Sequence, residues 1–335
     1  MTDPQRSVAL MQVAGPIMLG SAFQIETPQT KACSMAFLTW LHAGILGGLI
    51  IGLSRHGKTC AVRWAMKAIQ KALNIRIPFF EIPLRSHVTP KEGEFFEYLL
   101  KQVGHRNWMK GKISEKRDRL TDFLAARARS CPIKTVFLYF DEAQYLTDEQ
   151  WKWIHNIANE AAVAKIKVFF LFSGPHELEA MKERYVQAGT NDHLVGRFMS
   201  VAFYLTGLES VEDLGACLKG FSEVVYPKSK EVTLPENFVD LKAHPDFSLP
   251  SYASAMWGEF LQIRAEEIPE APADEMVLPM HYVTAAVLQF LTGLATNEKG
   301  LPDAVLLSRA VRACGFSDFI RSTIFRSERS AEGHA

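Results

Sequence analysis

The sequence has few cysteines and no cysteine-based framework. Its 335 residues include five cysteines, and no two of them form a C-x-x-C pair. An odd number of widely spaced thiols excludes a disulfide scaffold and a cysteine-held zinc site. The ten histidines form no H-E-x-x-H motif, which argues against a metal held by protein ligands alone. We expect a reduced, cytoplasmic (bacterial) compartment.

Net charge and long hydrophobic runs are also absent. Lys and Arg number 37 and Asp and Glu number 37, so bulk positive charge cannot drive binding to nucleic acid, and any such contact needs a local cluster. The most apolar run, residues 41–53, is too short and too rich in glycine to span a bilayer. We therefore expect no membrane association. A composition of 48% hydrophobic and 22% charged residues excludes a disordered chain.

Five short apolar runs alternate with helical patterns in the first two thirds of the chain. Near-continuous apolar strands separated by amphipathic helices are typical of a parallel sheet covered on both faces. The sequence thus predicts an α/β fold with a five-stranded parallel sheet. The predicted strands are Gly44–Ile51, Ile75–Ile82, Ile133–Phe140, Ile166–Phe172 and Val201–Leu205.

Helix signals divide the chain further. A cap and first-turn proline at Thr89-Pro90 and a stop at Gly104 bound one predicted helix, and a T-D-E-Q capping box at Thr147 opens another. Beyond residue 208 only helical patterns remain, separated by proline-rich connections. We predict a peripheral segment over 1–40, a nucleotide-binding α/β domain over 41–208, a small α-helical domain over 209–320 and a flexible tail over 321–335.

The strongest motif is a complete G-x-x-x-x-G-K-[ST] pattern between the first predicted strand and the next helix. Backbone N–H groups of such a loop and the helix N-terminus face a phosphate anion. Lys58 would then contact the β- and γ-phosphates of ATP, and the Thr59 hydroxyl would bind Mg²⁺. The predicted nucleotide-binding residues are Gly52, Ser54, Arg55, His56, Gly57, Lys58, Thr59 and Cys60.

Two acids follow the third predicted strand, Asp141 and Glu142. Carboxylates at the carboxyl end of a buried parallel strand project into the ligand crevice of an open sheet. Asp141 is expected to hold Mg²⁺, and Glu142 to orient the water that attacks the γ-phosphate. The alternative, a pair of acids that caps the next helix, is disfavoured because Thr147 has that position.

Two further residues are candidates for catalytic roles. Ser173 ends the fourth predicted strand and is placed to sense the γ-phosphate or position the water, although serines are common at strand ends. Arg197 precedes the last strand and is a candidate arginine finger for a neighbouring subunit. An ordinary surface arginine is the alternative, and Arg184 is the competing candidate.

A cluster of basic residues lies between residues 101 and 119 and contains only two acids, Glu115 and Asp118. On a neutral protein such a cluster is a candidate track for a phosphodiester backbone, with Trp108 beside it. A solvated loop and helix face is the alternative. The predicted DNA contacts are Lys101, Arg106, Lys110, Lys112, Lys116 and Arg117.

These motifs together resemble the AAA+ ATPases, and within them the TnsC/TniB regulators of bacterial and CRISPR-associated transposons. The resemblance rests on the phosphate loop, the F-D-E-A-Q run from Phe140, the F-S-G-P run from Phe172 and the pair Arg197-Phe198. It implies an AAA+ fold with a helical lid, ATP and Mg²⁺ as cofactors, and Ser173 as sensor 1. It also implies a homo-oligomeric ring or filament on duplex DNA, with a TniQ-type protein and transposase subunits as partners.

Two features depart from that family. Arg55 and His56 are bulky where relatives have small residues, and no clear sensor 2 arginine is present, Arg309 and Arg312 being weak candidates. Slow or partner-dependent ATP hydrolysis is therefore expected. The predicted function is an ATP-dependent regulator of transposition that assembles on DNA. The alternatives are an initiator-like AAA+ ATPase, helicase loader or signalling ATPase, a P-loop small-molecule kinase, and a scaffold that binds nucleotide without hydrolysing it.

Overall fold

The computed structural model describes residues 3–18, 23–86, 91–227, 229, 231–270, 276–297 and 302–322. Five strands form one sheet: β1 (Gly47–Ile51), β2 (Phe79–Pro83), β3 (Thr135–Asp141), β4 (Lys167–Gly174) and β5 (Ala202–Tyr204). All recorded strand pairs are parallel, in the order β2-β3-β4-β1-β5. The predicted five-stranded parallel sheet is confirmed, with each strand starting one to four residues later than its apolar run.

Twelve α-helices accompany the sheet in the described part of the chain. Those before β5 are α1 (Asp3–Met18), α2 (Pro28–His42), α3 (Lys58–Leu73), α4 (Glu92–Gln102), α5 (Ile113–Arg129), α6 (Asp148–Val163), α7 (His176–Ala188) and α8 (Asp192–Phe198). Those after it are α9 (Val211–Glu223), α10 (Ala253–Glu267), α11 (Met280–Ala295) and α12 (Asp303–Ala313). The last four lie beyond residue 208, where the sequence shows only helical patterns.

The chain divides into two compact units. The α/β unit consists of Thr30–Ser54 and Ala61–Leu205, and the helical unit consists of Met1–Gln29, Arg55–Cys60 and Thr206–Ala335. One change of unit along the chain falls between Leu205 and Thr206, and the predicted domain bounds stay a prediction. The central part of the phosphate loop, Arg55–Cys60, groups with the helical unit, which the sequence did not indicate.

In the α/β unit, alternate strand residues pack on opposite faces of the sheet. Phe137 and Phe169 stack with ring centroids 4.7 Å apart on the face covered by α2 and α3. Phe140 and Phe172 stack at 5.2 Å on the other face, against Trp151 of α6. Both faces are thus buried, as the apolar strand pattern requires.

The helical unit has its own core. Residues of α9, α10, α11 and α12 form one hydrophobic cluster, and Leu10 and Ile17 of α1 belong to it. Leu208, which precedes α9, and Leu278, which precedes α11, exchange two backbone hydrogen bonds of 2.9 and 2.8 Å.

The segment predicted as peripheral, residues 1–40, contains buried structure. In α2, Cys33 and Phe37 have no exposed surface and Trp40 is 7% exposed. These three residues have the i, i+4, i+7 spacing of a buried helical stripe, so the sequence carried a signal that we did not use.

Helix ends test the capping predictions. Thr147 is the N-cap of α6 in a complete capping box with Gln150, as predicted. Gly104 follows α4 with a φ of 78°, which confirms the predicted stop. The predicted cap at Thr89-Pro90 lies outside the described residues, and so does most of the tail, although Arg321 pairs with Glu267.

Candidate nucleotide site and basic surface

The carboxyl ends of β1, β3 and β4 lie at one edge of the sheet, because the strands are parallel and in register. Gly52 follows β1 at this edge and donates its N–H to the Gly174 carbonyl at 3.1 Å. A Cβ on Gly52 would come within 2.5 Å of the Leu205 carbonyl oxygen. Only glycine fits there, so the first motif position is set by close backbone packing.

The phosphate loop leaves β1 and ends where α3 begins at Lys58. Arg55 and Gly57 have φ values of 69° and 92°, and His56 between them is not among the residues with positive φ. Such alternation turns successive backbone N–H groups toward one side, a concavity that suits anions. Lys58 is 6% exposed and His56 is 5% exposed.

Within the helical unit, the loop contacts the first turn of α11. The His281 N–H donates to the Arg55 carbonyl at 3.2 Å, and the Arg55 guanidinium lies 5.9 Å from the centroid of the Tyr282 ring. Burial, and secondly the charge of Arg55, lowers the pKa of His281, so its ring is neutral beside the guanidinium at neutral pH. Neither partner is among the predicted site residues, because both lie far from Arg55 in the sequence.

Two hydroxyls contact the Asp141 carboxylate at the edge of the α/β unit. Ser173 Oγ donates to Asp141 Oδ1 at 2.5 Å, and Tyr139 Oη donates to the same oxygen at 2.9 Å. The two hydroxyl oxygens are 2.8 Å apart, and both side chains are fully buried. Ser173 is one of the predicted site residues and Tyr139 is not, although Tyr139 lies two residues before Asp141 and therefore on the same face of β3.

Glu142 follows in a left-handed conformation, with φ 60° and ψ 47°. Few residues other than glycine adopt this conformation, and such strain concentrates at functional sites. Gln144 Nε2 donates to Glu142 Oε2 at 2.7 Å. The conformation changes the direction of the chain at the end of β3, where a 3₁₀ turn over Ala143–Tyr145 follows.

Arg197 lies on α8 and contacts α6. Its Nη1 donates to Asn159 Oδ1 at 2.5 Å, and His155 and His193 stack edge to face beside it at 4.8 Å. Burial, followed by the charges of Arg197 and His193, lowers the pKa of His155. Arg197 is half-buried, whereas the competing Arg184 on α7 is exposed.

The predicted DNA-contacting residues divide into two groups. Lys116 is 7% exposed and its ammonium lies 2.5 Å from Glu97, while Arg117 pairs with Glu92. These two cations are turned against α4 and are poorly placed for a DNA backbone. The exposed group, which we call the basic surface, consists of Lys101, Arg106, Lys110 and Lys112.

The sensor 2 candidates lie on α12. Arg312 forms a bidentate pair with Glu266 at 2.8 and 2.9 Å, and Arg309 is exposed. The pairing of Arg312 with a carboxylate of its own chain gives no support to a role at the nucleotide.

Comparison with known proteins identifies the class of fold. Residues 44–181 match the family described as AAA domain. The ADP form of the Aeropyrum pernix ORC2 protein aligns with 87% of this chain and 69% of its own, at 13% identity and a TM-score of 0.55. The ADPNP–ADP complexes of the same protein align with 85% of this chain and 66% of their own, at 13% identity and a TM-score of 0.53. Cdc6p from Pyrobaculum aerophilum aligns with 81% of this chain and 63% of its own, at 11% identity and a TM-score of 0.50. No curated protein matches the sequence.

The sheet order, the helical region that follows it and the matched domain define an AAA+ fold. The match to an AAA domain covers residues 44–181, and it supports an ATPase activity for this part of the chain. The chain spans only about two thirds of the length of the ORC2 and Cdc6p chains, and at these identities the likeness shows the fold alone. None of these three structures is a transposition protein. In the described part of the chain, no helix is long and apolar enough to cross a bilayer.

The hydroxyl contacts of Asp141 predict the effect of Ser173→Ala. Loss of a hydrogen bond to a charged carboxylate is expected to lower the free energy of unfolding by about 1.5 kcal/mol and to slow ATP hydrolysis. Urea unfolding followed by circular dichroism and a phosphate-release assay measure the two effects. Ser200→Ala, at an exposed position, is the control, and equal values for both variants would refute the assigned role.

Proposed function

We propose that this protein is an ATP-dependent, DNA-binding switch of the initiator type, in which bound ATP promotes assembly and hydrolysis reverses it. One observation carries the proposal. The Asp141 carboxylate is held by two buried hydroxyls at the same sheet edge from which β1 leads into the phosphate loop.

The residues present fit a magnesium–nucleotide complex. Mg²⁺ prefers oxygen ligands and is usually bound by one or two carboxylates together with substrate phosphates. The Thr59 hydroxyl and Asp141 carboxylate are oxygen donors of this kind, and no group of three or more metal-binding side chains occurs among the described residues. Lys58 and the loop amides would hold the phosphates, and the bound complex supplies the phosphoanhydride bond that is cleaved.

Glu142 is the proposed general base. The Gln144 amide donates to one oxygen of its carboxylate and so orients it, and its backbone is left-handed. Glu142 would orient a water molecule and accept its proton as the γ-phosphate is attacked. Ser173 positions Asp141 through its hydrogen bond. A small-molecule kinase has less need of a water-activating acid, so this pair favours hydrolysis.

Assembly on duplex DNA would use the basic surface and Arg197. The four exposed cations provide affinity for phosphates without sequence readout. Arg197, oriented by Asn159, is the proposed arginine finger for the nucleotide of a neighbouring copy. ATP bound between copies would stabilise the oligomer by mass action, and loss of the γ-phosphate would weaken it.

The comparisons support an initiator-like or helicase-loader role better than a role in transposition, because the similar folds are those of ORC2 and Cdc6p. A transposition regulator with TniQ-type and transposase partners is the second candidate, supported by the F-D-E-A-Q and F-S-G-P runs. Direct binding to those partners would distinguish the second role from the first.

Glu142→Gln tests the ATP switch. Because the amide cannot accept a proton from water, the variant is expected to bind ATP normally, to hydrolyse it at least 100-fold more slowly and to accumulate as larger assemblies on DNA. Phosphate release and sedimentation velocity with ATP, Mg²⁺ and duplex DNA measure the two effects. Glu149→Gln on α6, an exposed acid paired only locally with Lys152, is the matched control.

Equal turnover and equal assembly of wild type and Glu142→Gln would contradict the proposed switch. Slow turnover in the wild type alone would not contradict the switch, because the prediction concerns the difference in turnover and assembly between the two proteins.

The basic surface predicts the salt dependence of DNA binding. In the double variant Lys110→Gln/Lys112→Gln, the slope of log affinity against log salt is expected to fall by about two units, since each phosphate contact contributes about 0.9. Fluorescence anisotropy with duplexes of unrelated sequence measures the slope. Lys242→Gln, an exposed lysine of the helical unit, is expected to leave it unchanged. An unchanged slope in the double variant would remove DNA binding from this surface.

A further inference from the structure

Arg55 occupies the middle of the phosphate loop and has no role in the proposed hydrolysis. Its φ of 69° is a left-handed conformation that glycine adopts freely and arginine rarely adopts. A bulky side chain in such a conformation needs contacts that hold it. Those contacts come from one element, the first turn of α11.

Three contacts connect the loop to that turn. The Arg55 carbonyl accepts the His281 N–H at 3.2 Å. The Arg55 guanidinium lies over the Tyr282 ring, 5.9 Å from its centroid. Met280 is the third neighbour, since its Cβ lies 3.7 Å from the position that a Cβ on Gly57 would have, so Gly57 faces this turn.

The Tyr282 ring that Arg55 contacts is buried and held in place by its neighbours. It is 3% exposed, and its ring packs against Phe316 with centroids 5.7 Å apart. The cation is therefore placed over a ring that the core of the helical unit holds in position, which favours an oriented cation–π contact.

The backbone bond has a direct geometric consequence for the loop. The peptide between Arg55 and His56 is not among the cis bonds, and in a trans peptide the C=O and the following N–H point in opposite directions. Because the Arg55 carbonyl points at His281, the His56 N–H points away from α11. A loop that binds phosphate requires its N–H groups to be turned inward and kept there.

We infer that the first turn of α11, through His281 and Tyr282, is a positioning element that holds Arg55 and so presets the phosphate loop for nucleotide. The inference rests on the proposed function, because it assigns a device to the same loop. It makes Arg55 a positioning residue that acts through its contact with Tyr282. The opposing view is that the Arg55 guanidinium binds a phosphate directly.

A double-mutant cycle separates the two views. Kd values for a fluorescent ATP analogue are measured for wild type, Arg55→Ala, Tyr282→Leu and the double variant. Loss of a single cation–π contact is expected to weaken binding about two- to five-fold in each single variant. If Arg55 acts through Tyr282, the double variant binds no more weakly than the weaker single variant.

Two controls accompany the cycle. Phe238→Leu removes a buried ring from the same core that is not among the ring contacts of Tyr282, and it is expected to bind ATP as the wild type does. Arg55→Lys keeps a cation over the ring and is expected to recover part of the lost affinity. Hydrogen exchange gives a second readout, since ATP should slow exchange of the amides of residues 280–284 in wild type and have a smaller effect in Arg55→Ala.

The outcomes differ for the inference and for the proposed function. Additive losses in the cycle show direct phosphate binding by Arg55 and overturn the inference alone. Equal losses in Phe238→Leu and Tyr282→Leu show a general core effect and also overturn it. A wild-type protein that binds no ATP overturns the proposed function and the inference together. Non-additive losses with a neutral Phe238→Leu support the positioning element.

Discussion

The structure of the site depends on the alignment of parallel strands at one edge of the sheet. The register of β3 against β4 places Asp141 beside Ser173, and the register of β4 against β1 places Gly174 beside the start of the phosphate loop. Buried aromatic stacks on both faces hold that register, because a shift of one residue would turn every side chain to the opposite face. Core packing thus determines where the Asp141 carboxylate lies.

The phosphate loop connects the two compact units through the chain itself. Its first residues belong to the α/β unit, and Arg55–Cys60 group with the helical unit. Within the helical unit, the Arg55 carbonyl accepts the His281 N–H and the Arg55 guanidinium lies over the Tyr282 ring. In the proposed switch, nucleotide bound to these loop residues would act on the contacts that they make with α11.

Local sequence patterns predicted much of this structure. Apolar runs indicated all five strands, and the phosphate-loop motif and the acids after β3 located the candidate site, because these signals are contiguous in the chain. Contacts distant in sequence were not predictable: Tyr139 with Ser173, Arg55 with Tyr282, and Lys116 with Glu97. Lys116 illustrates the limit, since a basic run shows charge but not which cations a neighbouring helix neutralises. The stripe in α2 was readable from its spacing and was missed.

The central claim is that bound ATP allows copies of this protein to assemble around duplex DNA. Electron microscopy of the full chain with a non-hydrolysable ATP analogue, Mg²⁺ and duplex DNA tests it most directly. The account predicts a ring or helical assembly with DNA in its lumen and nucleotide against residues 52–59, and single copies when nucleotide is omitted. Single copies under both conditions, with no DNA bound, would contradict it.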